Sequence, residues 1–177
     1  VTRDGDRFIA YDDSGLFDTP LPDRALVERA LARASVLIVD SSTAPPGSAG
    51  VIAMAIERGI PVVLDAEREV PGSTVVEDMI AIADHPILPM NFARHVTGAQ
   101  QARDIIEALW SGSRSAVVLT DGANGALVRG PGDEQPFEVP AFAVAAVDTV
   151  GCGDAFHGAY AVGLARGLAL VDRVRLA

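Results

Sequence analysis

The string Val147-Asp148-Thr149-Val150-Gly151-Cys152-Gly153-Asp154-Ala155-Phe156 combines the residue types in this chain best suited to chemistry. Two glycines bracket one small residue. An apolar, strand-like run precedes them, and a segment of helical character follows, extending to about Gly167. A helix that starts behind glycines offers free backbone N–H groups and the positive end of its dipole, so Gly151, Cys152 and Gly153 read as a cradle for an anion such as a phosphoryl group. Preorganised donors of this kind are worth about 3 kcal/mol of barrier for one good hydrogen bond. Asp154 falls in the first turn of the same helix. A carboxylate there can take the proton of a substrate hydroxyl as a general base, or it can cap the helix with no chemistry at all. Other candidates are weaker. Thr120, Gly122 and Gly125 follow a strand-like run and read, by themselves, as the glycine turn of a hairpin. His85, His95 and His157 lack metal-ligand spacing and read as structural, although His157 lies one turn into the motif helix, where it could touch a phosphate or a sugar. Trp110 ends an amphipathic segment and reads as core.

The elements that must position these residues alternate along the chain. Leu26, Val27, Ala30, Leu31 and Ala34 stand at helical spacing behind Asp23, which is placed to cap a helix over 23–34. Val36-Leu37-Ile38-Val39 is an aliphatic run of the kind found in a parallel strand covered on both faces, and Asp40 ends it. A helix over 48–58, a strand over 61–65, an apolar segment over 75–83, the short run Pro86-Ile87-Leu88, a helix over 100–110 and a strand over 116–120 follow. Strands alternating with helices of this length predict an α/β fold with an open, mostly parallel β-sheet and helices on both faces. Ala126-Leu127-Val128-Arg129 and Phe137-Glu138-Val139, around Gly130-Pro131-Gly132-Asp133, break the rhythm and predict an edge β-hairpin. Gly158, Ala159, Ala161 and Gly163 are small enough to let the motif helix lie close on the sheet. Arg7-Phe8-Ile9-Ala10-Tyr11 is a further short strand candidate.

Composition narrows the function. The chain has 177 residues, enough for one domain with a substantial core, and 49% of them are hydrophobic. A net charge of -10 disfavours nucleic acid as a partner. All 14 basic residues are Arg. The absence of Lys removes a P-loop lysine, a Schiff base and a lysine general base. A single cysteine excludes an internal disulfide or a cysteine-based zinc cluster and is compatible with a cytoplasmic location. No apolar run is long enough for a membrane span. The chain opens on Val1 rather than Met and closes inside a helical pattern, so the expectation is of a piece cut from a longer protein.

The motif from Asp148 to Asp154 resembles the second signature of the ribokinase-like (PfkB) carbohydrate kinases, Asp-Thr-x-Gly-Ala-Gly-Asp, with Cys152 where Ala is usual. Through that resemblance Asp154 corresponds to the base for the sugar hydroxyl. Gly151, Cys152 and Gly153 correspond to the anion hole, and Asp148 and Thr149 to residues flanking the nucleotide and phosphate site. The thiol of Cys152 is read either as inert packing or as a nucleophile. Thr120, Gly122 and Gly125 resemble the family's Thr-x-Gly-x-x-Gly strand end beneath the nucleotide's phosphates. The ends of the runs at Asp40 and Asp65 resemble two further strand ends of the family, where Asp65 and Glu67 either reach a magnesium–water shell or cap loops. Most relatives carry an Asn-x-x-Glu pair that helps to hold magnesium; here Pro89 and Phe92 stand at those positions, with Asn91 out of register. Fructose-like ketose kinases also lack the pair, and Asp154-Ala155-Phe156-His157-Gly158-Ala159 looks most like that branch.

The resemblance implies a ribokinase-like fold in which residues 1–19 form the end of a β-sheet lid and its linker, and residues 20–177 an incomplete nucleotide-binding and catalytic domain. It implies that the N-terminal sugar-binding part, most of the lid and the closing helices are missing. It implies ATP as co-substrate, Mg2+, a sugar substrate and, as one arrangement common among relatives, a homodimer built through the lid. The expected activity is transfer of the γ-phosphoryl group of ATP to a sugar hydroxyl. A nucleoside acceptor and a degenerate, non-catalytic nucleotide-binding module are the alternatives.

Overall fold

The computed structural model describes residues 21–42, 44–45, 47–68 and 74–177. The strand candidate at 7–11 and the lid segment 1–19 lie outside them. In chain order the elements are α1 (Arg24–Leu31), β1 (Leu37–Asp40), α2 (Ser48–Glu57), β2 (Val62–Asp65), α3 (Val75–Ile82), β3 (His85–Pro89), α4 (Met90–Thr97), α5 (Ala102–Leu109), β4 (Val117–Thr120), β5 (Ala126–Arg129), β6 (Phe137–Val139), α6 (Cys152–Ala165) and α7 (Leu170–Leu176). The strands form one sheet in sequential order, with β1 to β4 parallel and β5 and β6 added antiparallel at one edge. The open, mostly parallel sheet and the edge hairpin are therefore as expected.

Sequential parallel strands joined by right-handed crossovers must keep every intervening helix on one face. That is the arrangement here. Ile52 of α2, Met79 of α3, Ala93 of α4 and Ile106 of α5 share one core cluster with Val62, Leu64, Leu88 and Leu119 of the sheet. The opposite face carries α6 and α7, whose Tyr160, Ala161 and Val174 pack with Val63, Ile87, Val118 and Val128. Alternate residues of the central strands thus face different layers, and Val62, Val63 and Leu64 are all fully buried. Asp23 caps α1 by accepting from the Ala25 amide at 2.7 Å, as its position predicts. Trp110 packs against the first cluster, with the Arg129 guanidinium 5.0 Å from its ring centre.

Four details differ from the sequence expectations. β1 is an edge strand, and Ile38 is 47% exposed although α6 packs against β1, because an edge strand has a neighbouring strand on one side alone. α4 follows β3 with no intervening loop, so a short helix is hidden where strand and helix share Pro89 as boundary and N-cap. The run ahead of Asp148 is not a strand: residues 140–147 lie in no regular element, and Phe142 and Val147 are exposed, since no described strand lies alongside to pair with them. Gly163 serves closeness to α7 rather than to the sheet, since a Cβ there would come within 3.0 Å of Arg173 Cγ and 3.4 Å of its Cα.

A polar clasp fixes the amino-terminal edge of the sheet. Asp84 accepts from the Val62 amide through Oδ1 at 2.7 Å, and its carbonyl accepts from the amides of Ser115 and Ala116. Buried Arg114 donates to the carbonyls of Ile80 at 2.7 Å and Ala83 at 3.2 Å, closing the carboxyl end of α3. Burial holds the Arg114 guanidinium below its usual range, and the charge of Asp84 opposes that shift. Replacing Arg114 by Met keeps the bulk and deletes both charged hydrogen bonds, so we expect a loss of about 2–3 kcal/mol in stability, read as a lower urea midpoint at unchanged slope.

Candidate active site

Because β1 to β4 run parallel, their last residues meet along one edge of the sheet. Asp40 pairs in register with Asp65, and Pro89 with Thr120. Open α/β sheets gather ligands at this carboxyl-terminal edge. The amino end of α6 arrives at the same edge. α6 packs against β1 and β2. Its helix begins behind Gly151, the N-cap residue, whose φ of 75° is left-handed and therefore suited to glycine. No side chain caps this terminus. Cys152 N donates to Thr149 O at 3.3 Å and Asp148 Oδ1 accepts from Val150 N at 2.9 Å, so Asp148 and Thr149 shape the turn that leads into the helix.

Gly151, Cys152 and Gly153 form the cap and first residues of α6. Of the three expected donors, the Cys152 amide is already engaged in the entry turn. The N–H groups of a first helical turn have no partner within the helix itself, and Gly153 lies in that turn. Asp154 is in the first turn and exposed. A Cβ at Gly151 would lie 3.7 Å from Asp154 Oδ2, so the carboxylate sits back over the cradle. The Cys152 side chain is exposed, not packed.

The link between the helix and the strand ends is His157, read from sequence as structural. Its side chain is 7% exposed, and its Nδ1 lies 2.7 Å from Gly153 O and 3.2 Å from Asp65 Oδ2. Nε2 lies 3.4 Å from Ile87 O of β3. Asp65 occupies the last position of β2 and is itself largely enclosed. Burial pushes its carboxyl up to about 6; His157 acts against the rise, while Glu67, Asp40 and Asp154 add to it. Four carboxylates therefore converge electrostatically at one end of the sheet. The signal for this pairing was present in sequence, since His157 follows Asp154 by three positions on one helix, but its partner is remote along the chain. His85 is structural, meeting Tyr160 Oη at 3.1 Å through Nδ1. Burial holds it down to about 4, with the charge of Arg173 adding to the effect.

Thr120, Gly122 and Gly125 lie on the same edge, where β4 turns back into β5 through a 3-10 turn at Gly122–Asn124. The hairpin reading of this segment holds. Gly125, with φ of 90°, must be glycine, since an added Cβ would collide with the Val139 carbonyl oxygen. Asp121 N donates to Gly125 O at 2.8 Å, and Asn124 Nδ2 to Asp121 Oδ2 at 3.0 Å, which fixes the loop. A shallow recess of about 230 Å³ opens beside it, lined in part by Arg103, Asn124 and Glu138. At the β3–α4 junction, Phe92 is buried in the core and Asn91 is exposed, its Oδ1 accepting from Phe92 N at 2.8 Å. Neither Pro89 nor Phe92 offers a side-chain oxygen to an ion.

Comparison with known proteins decides the family. The model of the pfkB family of carbohydrate kinases matches residues 1–177. This chain belongs to that family. A protein from Agrobacterium tumefaciens provisionally assigned as a ribokinase superposes with a TM-score of 0.80 at 25% identity, over 97% of this chain and 55% of its own. A microbiome-derived acarbose kinase superposes with a TM-score of 0.76 at 21% identity, over 99% and 57%. The fructokinase of Vibrio cholerae O395, solved with fructose, ADP and calcium, gives 0.65 at 26% identity, over 79% and 51%. The chain spans little more than half the length of these structures, and the ribokinase-like α/β fold is common to all.

The enclosed carboxyl of Asp65 makes stability depend on pH. With a folded value of about 6 against about 4 in the unfolded chain, the folded state holds more protons between these values. Stability therefore falls as pH rises from about 4 to about 6 and is level above. Asp65→Asn removes that slope, so urea midpoints measured at intervals over this range should converge with, then overtake, the wild-type values as pH rises.

Proposed function

We propose that the chain is the nucleotide-binding and catalytic part of an ATP-dependent carbohydrate kinase. The observation that carries this reading is the glycine-capped start of α6 at the carboxyl edge of the sheet, with Asp154 in its first turn, in a member of the pfkB family. In the proposed reaction Asp154 accepts the proton of the sugar hydroxyl as its oxygen forms a bond to the γ-phosphorus. The bond from that phosphorus to the bridging oxygen breaks, and its electron pair leaves with ADP. The amides around Gly151, Cys152 and Gly153 face the charge on the phosphoryl oxygens, where donors fixed in advance cost no reorganisation. Asp148 and Thr149 hold the entry turn, and the Thr120–Gly125 loop borders the phosphates.

Mg2+ fits this edge only as an ion carried by the nucleotide. Among the described residues no group of three or more His, Cys, Asp or Glu side chains could hold a metal, but magnesium commonly keeps several waters and uses one or two carboxylates beside substrate phosphates. Asp65 and Glu67 would face its water shell, and the ion would neutralise charge on the transferring group. A fructose-like ketose is the favoured acceptor, in line with the fructose-bound fructokinase among the similar structures; a nucleoside is the alternative class. Assembly as a homodimer and a cytoplasmic location complete the proposal. No helix among the described residues is long and apolar enough to cross a membrane.

A non-catalytic nucleotide-binding module is the second reading, favoured by Pro89 and buried Phe92 where relatives carry an oxygen-bearing pair. ADP release from the full-length gene product, with Mg-ATP and a panel of ketoses, aldoses and nucleosides, separates the two. The kinase reading expects one acceptor class to stimulate turnover and Asp154→Asn to lower kcat by about 10²-fold or more. ATP binding with no stimulation by any acceptor would establish the module instead.

A further inference from the structure

The first turn of α6 must hold the cradle and Asp154 in register with the strand ends, yet little else secures it. Cys152, Gly153, Asp154 and Ala155 are all exposed, the N-cap is a left-handed glycine without a capping side chain, and residues 140–147 before it lie in no regular element. Phe156 packs from this part of the helix against the apolar cluster on the sheet, and His157 is the polar side chain that reaches the strand ends. Through Nδ1 it meets both the Gly153 carbonyl of its own helix and the carboxylate that ends β2, and through Nε2 it faces the Ile87 carbonyl of β3. One planar ring therefore spans three elements while 5% of the residue is exposed. Its other neighbour, the Phe156 ring, meets it edge-on at 6.2 Å between centres.

We propose that His157 is a positioning residue which fixes the amino end of α6, and with it the cradle and Asp154, over the ends of β2 and β3. The inference rests on the kinase reading for its kinetic consequence, not for its structural one. Its chemistry is specific to the two nitrogens. Nδ1 is bonded to Cγ, the place taken by the amide nitrogen of Asn. Nε2 lies one bond farther out, where the amide nitrogen of Gln reaches. Asn can therefore keep the bridge between Gly153 and Asp65, Gln can keep only the contact with Ile87, and Leu keeps volume alone.

The experiment compares His157→Asn, His157→Gln and His157→Leu in the full-length gene product. Turnover is measured with the stimulating acceptor, and backbone amide resonances of Gly151, Gly153 and Asp154 are recorded in parallel. A misplacement of about 1 Å costs about 10²-fold in rate, so Leu and Gln should lose kcat on that scale with little change in acceptor KM, while Asn recovers most of it. The amide resonances of the three residues should shift in Leu and Gln and return in Asn. Should Leu fail to fold, Gln carries the comparison. Equal kcat in all folded variants, or losses that Asn does not restore, would overturn the proposal. If the wild type turns over no acceptor, the kinase reading has failed. The positioning role is then judged on the resonances, and wild-type-like positions in Gln and Leu would reject it.

Discussion

Four strands pointing one way, joined by crossovers of one hand, impose nearly everything else on this molecule. The handedness assigns α2, α3, α4 and α5 to one layer and leaves the other face to the chain's later helices. The common direction brings Asp40, Asp65, Pro89 and Thr120 to one edge. A helix that returns across the free face, as α6 does, can then present its amino end beside strand ends contributed from far earlier in the chain. The site is consequently assembled from local pieces by a global rule, and no single segment contains it.

That division explains what could be read in sequence. Signals confined to one segment were legible: the aliphatic runs of β2 and β4, the capping by Asp23, the glycine spacing ahead of α6 and the turn chemistry of Gly122 and Gly125. Signals that depend on a neighbour were not. Val36 to Val39 has the composition of a covered central strand, but coverage is a property of adjacent elements, and Ile38 is exposed. Phe142, Val144 and Val147 are apolar without being a strand here, for the same reason. α4 escaped notice because Pro89 ends a strand and starts a helix at once, leaving none of the polar loop residues that mark a boundary. His157 was legible as a residue near the motif but not as a bridge, since Asp65 lies 92 positions earlier by residue number.

The electrostatics of the edge carry a tension. The amino end of α6, the proposed anion cradle, stands beside Asp40, Asp65, Glu67 and Asp154; burial raises the carboxyl of Asp65, and the other three carboxylates add to the rise. With no Lys in the chain, positive charge near this edge has to come from Arg, from a protonated His157, from the α6 dipole or from an ion brought by the substrate. A helix dipole acts over about one turn, so its reach is confined to the start of α6, while Asp65 has the His157 ring 3.2 Å away. The placement of the strand-end carboxylates is more favourable toward a hydrated cation than toward a bare phosphate. Under the proposed function the two features become complementary: donors face the anion, carboxylates face the ion that accompanies it, and the His157 ring sits where these two regions meet, holding them at a fixed separation.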